Sequence, residues 1–147
     1  MIVSWKPNQL LPTFDYTITV LNKLASRDTT TGKVDIWYAS KLDNCAFTSE
    51  VVRDVTGNVT SVGNTFICRI PKNDKYRKYS EWKSNPDEHF TLNVGDYIFL
   101  GELEDIVTAQ NIQQVYQSHK DTAFQIKAFR DNTGRIELGE HYRVDGV

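Results

Sequence analysis

Cysteine is almost missing from this chain: Cys45 and Cys68 are the only two in 147 residues. Their separation excludes a CxxC redox or zinc motif, and both read as small buried residues rather than as a disulfide. The opening Met1-Ile2-Val3-Ser4-Trp5-Lys6-Pro7 has neither the basic start nor the apolar core of a leader. No apolar run approaches the roughly 20 residues that cross a bilayer, so a soluble chain made and kept in the cytoplasm is expected, with no membrane partner. GxSxG, P-loop and GxGxxG patterns are also absent, as are HxH and HExxH. No enzyme activity, cofactor or metal is therefore expected, and a small hydrolase lacks both a nucleophile and its base. Asn58-Val59-Thr60 has the form of a glycosylation sequon, which is chance without secretion. Positive charge is not in excess either. A net charge of -2 rules out the chain as a whole as a polyanion binder, so any nucleic-acid contact must be local.

What is present is aromatic and β-forming. Aromatic residues make up 12% of the chain, which favours strands and interfaces over a helical bundle. The organising stretch is Phe90 to Leu103, which holds Tyr97-Ile98-Phe99-Leu100, four large β-formers in a row. Such a run predicts a central strand packed on both faces. Asn93-Val94-Gly95-Asp96 predicts the turn before it, with Gly95 at positive φ. The chain length suits one domain with one core. The expected fold is mainly β, a single β-barrel or sandwich-like domain over residues 14–147, with one amphipathic helix and a long inserted loop.

Residues 1–13 carry Pro7 and Pro12 around Trp5, Leu10 and Leu11, which predicts an extended arm rather than a helix. Those apolar side chains need a surface, either this chain's own core or a neighbouring subunit. Residues 16–21 alternate as a half-buried strand, and residues 34–39 follow the polar run 26–33 as its hairpin partner, with Trp37 on the face opposite Val34, Ile36 and Tyr38. Short strands are expected at 45–47, 50–55, 59–61 and 64–70, with a reversal at Thr56-Gly57-Asn58 and a stop at Pro71. Ile112, Val115, Tyr116 and His119 recur at helical spacing, which predicts a helix over 108–120, capped by Thr108 and covering an open end of the sheet. A strand over 122–130, with Phe124, Ile126 and Ala128 on one face, a turn at Asp131 to Gly134 with Gly134 at positive φ, and a strand over 135–144 complete the chain.

The histidines give little chemistry. His89 follows Asp87-Glu88 without ligand spacing, His119 suits a helix C-terminus, and His141 reads as a strand-surface residue.

Residues 72–88 break both periodicities. Disorder is unexpected there, because Tyr76, Tyr79 and Trp82 are apolar and spaced three apart, as on a short helical turn. Arg69, Lys72, Lys75, Arg77, Lys78 and Lys83 make this a basic segment. Asp87, Glu88, Asp96, Glu102, Glu104 and Asp105 follow with no Lys or Arg before Lys120. Three readings stay open: a solvated loop paired with its acidic neighbour, a basic aromatic loop on nucleic-acid backbone, or a basic face meeting the acidic face of another copy.

One family resemblance is carried by Arg69-Ile70-Pro71, Tyr79-x-x-Trp82, Phe90-Thr91, Val94-Gly95-Asp96-Tyr97-Ile98, Gly101-Glu102, Asp131 to Gly134 and His141 to Val147. As an ordered set these resemble the head-closure or stopper proteins in the neck of tailed phages and prophages of Gram-positive bacteria. The resemblance covers the C-terminal half and only loosely the rest. It implies a β-barrel subunit of the virion neck that closes into a homo-oligomeric ring of roughly six or twelve copies. Such a ring lies between portal or adaptor and tail-terminator or tail-tube proteins, and touches packaged DNA without sequence preference. The implied inter-subunit or channel loop holds Lys72, Lys75, Tyr76, Arg77, Lys78, Tyr79, Trp82 and Lys83. The acidic partner face would be Asp87, Glu88, Glu102, Glu104 and Asp105, and the docking arm Trp5, Leu10 and Leu11. A tail-terminator of the same neck is the adjoining possibility. Apart from the resemblance, an oligonucleotide-binding barrel of the OB type, using the strand at 94–103 and the basic loop, is the runner-up.

Overall fold

The computed structural model describes residues 14–56, 59–134 and 139–147. The alternation in the first strand sets the pattern. In β1 (Tyr16–Leu24), Ile18, Val20 and Asn22 point to one side and Thr19, Leu21 and Lys23 to the other, so the strand can be buried on both faces. Five further strands follow: β2 (Ile36–Thr56), β3 (Val59–Pro71), β4 (Tyr97–Leu100), β5 (Ala123–Asp131) and β6 (His141–Gly146). All neighbours are antiparallel, and the order β1-β2-β3-β6-β5-β4 closes on itself as a barrel. Closure leaves no free edge along the barrel wall, which removes the usual route to sheet aggregation.

The interior is filled by Ile18, Val20, Phe66, Cys68, Ile98, Phe124, Ile126 and Val144 among others, with Phe66 and Phe124 stacked at 5.5 Å. Each such side chain contributes about 1.5 to 3 kcal/mol by leaving water. A second cluster lies outside the barrel, so the single core expected from length is in fact two. There Leu21, Tyr97, Phe99 and Ala123 turn outward and meet Ile112 and Val115 of a short helix, α2 (Ile112–Ser118). The helix thus covers an outer face rather than an open end. It is also shorter than residues 108–120, because Asn111 rather than Thr108 is its N-cap and a 3-10 turn, Lys120–Thr122, takes over after His119. Thr108 and Asn111 still pair, with the Thr108 amide donating to Asn111 Oδ1 at 2.7 Å.

β4 has the predicted run, packed on both faces, but is only four residues long, and Phe90 to Leu92 belong to a strap that precedes it. Gly95 has φ 99°, as the turn requires. The pieces expected at 34–39, 45–47 and 50–55 fall on one 21-residue strand, β2, which begins at Ile36 rather than Val34. It bends instead of stopping: Asn44 takes φ 59°, a conformation asparagine tolerates, and the β1 register slips between Tyr16 and Ile18. β3 likewise runs unbroken from Val59 to Pro71. The reversal at 56–58 falls partly outside the described residues, between the paired Thr56 and Val59. In β5 a bulge between Ile126 and Ala128 turns Ala128 out and Phe129 in, which reverses the alternation expected there. Among the described residues of the last connection, Gly139 (φ 79°) is left-handed and Gly134 is not.

Gly146 shows how tightly β6 meets β5. A Cβ at this position would lie 2.1 Å from the Gln125 carbonyl oxygen and 2.3 Å from Phe124 Cδ2. Backbone cannot yield as a side-chain tip can, so Gly146→Ala should cost about 1 to 3 kcal/mol in urea denaturation. An unchanged midpoint would show that the strands are not packed this closely.

Candidate functional site

Residues 72–96 connect β3 to β4 across the barrel mouth where β1 and β5 end. The connection holds one helical turn, α1 (Tyr79–Trp82), as the aromatic spacing predicted. Its aromatic side chains face the chain's own barrel. Trp82 is fully buried, edge-on to Tyr38 at 5.8 Å, and its Nε1 donates to the His89 carbonyl at 3.1 Å. Tyr76 lies 4.4 Å from the ring of Tyr142, and its backbone bridges Phe90. Tyr79 donates its hydroxyl proton to Asp28 Oδ2 at 2.8 Å and accepts the Ala25 amide at 3.1 Å. That Tyr79 bond, with Lys83 and Arg27 nearby, holds the Asp28 carboxyl below its ordinary value despite burial acting the other way.

A buried polar clamp fastens the strap. Asn22 donates to the Thr91 carbonyl and to Asp96 Oδ2 at 2.9 Å, and accepts the Thr91 amide at 3.1 Å. Asp96 also accepts the amides of Lys23 at 3.1 Å and Asn93 at 3.3 Å. Burial pushes the Asp96 carboxyl up to about 6, while these donors pull against it.

The charged members of the segment lie around this cap. Lys72 pairs with Glu140 at 3.5 Å and Lys83 with Asp28 at 3.5 Å. Hydrogen bonds from Thr133 lower the Asp131 carboxyl, helped by Lys72 and Lys78. Arg77 donates to the carbonyls of Asp74 and Tyr76 at 2.6 and 2.7 Å. Lys75 and Lys78 are exposed. Lys72 and Lys83 are thus met by acids on the β5–β6 and β1–β2 connections. The five acids singled out from sequence do not share one face. Asp87 and Glu88 sit in the cap, whereas Glu102, Glu104 and Asp105 follow the far end of β4, where Lys41 approaches Glu102 at 3.9 Å and His119 approaches Asp105 at 3.4 Å. Trp5, Leu10 and Leu11 lie outside the described residues.

A feature that sequence reading missed projects from the opposite end. The β1 ladder on β2 ends at Cys45 and the β6 ladder on β3 begins at Phe66. Between them, the seven pairs from Glu50↔Thr65 to Thr56↔Val59 join β2 and β3 to each other alone, among the described residues. At about 3.3 Å per residue this two-stranded ribbon reaches roughly 20 Å beyond the wall. The signal was available as two valine-rich runs around Gly57-Asn58, but the missing flank partners were not.

Burial pushes the Cys45 thiol up to about 12 and the Cys68 thiol well above its ordinary value, so neither supplies a thiolate nucleophile. His141 is buried, not on the strand surface, with Nδ1 3.0 Å from the Gly139 carbonyl. Among the described residues no three His, Cys, Asp or Glu side chains gather as a metal site, and no helix is long and apolar enough to cross a membrane. On β4, Tyr97 and Phe99 of the outer face are covered by α2.

These features define a closed six-stranded antiparallel barrel whose mouth is capped by its own β3–β4 connection. Within that class the chain belongs to a recognised family: the family model described as Family of unknown function (DUF6751) matches residues 13–147. No curated protein and no solved structure matches the chain.

Proposed function

We propose that this chain is a non-enzymatic structural subunit of a phage neck, which closes into a ring between portal or adaptor and tail and helps retain packaged DNA. The observation that carries the reading is the projecting β2–β3 ribbon. A two-stranded hairpin gains little stability alone in water, so a ribbon of this length is best supported by contact with another molecule. Among the described residues its two edges have no ladder partner, so their backbone groups can pair with such a neighbour, while the closed wall offers none. The resemblance in residues 66–147 supplies the setting.

The purified chain should sediment as a monomer and form rings only with portal and adaptor partner proteins. Replacing residues 51–64 by Asn-Gly, so that Glu50 turns directly into Thr65, should leave a cooperative β-sheet melt and abolish ring formation in native mass spectrometry. Assembly that survives loss of the ribbon, or an intact chain that never joins a particle, would refute the proposal.

A further inference from the structure

Three arginines far apart in sequence stand side by side on the barrel wall. Arg69 of β3 is paired with Arg143 of β6, and Arg143 with Arg130 of β5. Directly paired residues leave a sheet on the same face, here the outer one, since their neighbours Cys68, Ile70, Tyr142 and Val144 point into the barrel. With strands about 4.8 Å apart, the row spans roughly 10 Å.

Like charges opposite one another weaken a sheet, so such a row needs a compensating anion. Among the described residues a single carboxylate answers it. Asp145 accepts from Arg143 Nε at 2.8 Å and Nη2 at 3.2 Å. That pair locks one guanidinium in place and leaves its other edge free. Neither Arg69 nor Arg130 has a side-chain hydrogen bond or ion pair among the described residues. Burial and the adjacent Arg143 lower the Arg69 pKa, with Asp145 acting the other way. A pocket lined by Ala128, Phe129, Arg130, Arg143 and Asp145 lies at the row, next to the β5 bulge.

We propose that this row is an oxyanion site that binds phosphate groups, presented by a nucleic-acid backbone or as free phosphate. The guanidinium fork matches phosphate oxygens. The exposed apolar residues Val34, Val94 and Ile106 belong to connections outside β3, β5 and β6, and Val147 follows the end of β6 four residues past Arg143, so the row itself presents charge rather than the apolar anchor a protein partner requires. The site deepens the DNA-retaining role proposed above, yet it is tested on the monomer, so its failure is distinct from a failure to assemble.

The test is fluorescence anisotropy of a labelled short mixed-sequence duplex, titrated with the full chain at several salt concentrations. Arg130→Gln, on an exposed side chain, should weaken binding about tenfold and reduce the salt slope by about 0.9. Arg69→Gln with Arg130→Gln should leave almost no salt-dependent binding. Lys33→Gln with Lys120→Gln, elsewhere on the surface, should change neither quantity more than about twofold. Inorganic phosphate, followed by amide shifts of β5 and β6, separates the sources. Duplex binding far tighter than phosphate assigns the backbone, and equal affinity assigns the free anion. The assignment is overturned if neither ligand binds at low salt, if Arg130→Gln behaves like the lysine control, or if a glutamate-rich peptide competes as well as the duplex.

Discussion

Trp82→Ala should destabilise the fold by about 3 to 5 kcal/mol, the range for removing a large aromatic from a packed interior. The indole is fully buried, meets Tyr38 edge-on at 5.8 Å and Tyr79 at 5.6 Å, and donates to the His89 carbonyl at 3.1 Å. Truncation would therefore open a cavity and leave that carbonyl without its donor. α1 is a single turn, too short to persist alone, so the cap as a whole should loosen. Urea denaturation measures the loss, and hydrogen exchange at residues 76–90 should show it concentrated there. A change below about 1 kcal/mol would mean that the segment is not anchored on its own barrel.

Asp96 should make stability depend on pH in an unusual direction. Its folded pKa is raised to about 6 by burial, above the value of about 3.9 expected when unfolded. The folded chain thus holds an extra proton between these values. The group's contribution is fully present below about pH 4 and is lost as pH rises through about 6, a change of roughly 3 kcal/mol. The comparison is with Asp96→Asn, which cannot titrate. Its oxygen can keep the bonds from Asn22 and Asn93, but its amide faces the Lys23 N–H. The stability advantage of the native chain over the variant should therefore shrink by about that amount between pH 4 and 7. Parallel stability profiles would rule out a raised Asp96 pKa. Asp28 and Asp131, whose pKa values are lowered, act in the opposite sense in both chains and cancel in the difference.

Periodicity explains what could be read in advance. Alternation in β1 and the run Tyr97 to Leu100 name strands directly, because each residue's side is fixed by its neighbours in sequence. The periodicity breaks β2 into fragments because Lys41, Asp43 and Asn44 interrupt the pattern where the strand bends around the barrel. Alternation puts Ala128 inside because a bulge leaves no mark in composition. Tyr76, Tyr79 and Trp82 form an aromatic group by spacing, but nothing local says which surface such a group covers.

Sequence alone determined that this is a mainly β domain with a long ordered connection before β4, since backbone preference and apolar spacing act over a few residues. Only tertiary structure decided that the connection folds back as a cap, that β2 and β3 run on as a ribbon, and that Arg69, Arg130 and Arg143 stand together. Strand register and loop direction depend on contacts between residues tens of positions apart, and no local pattern records which distant partner a side chain will meet.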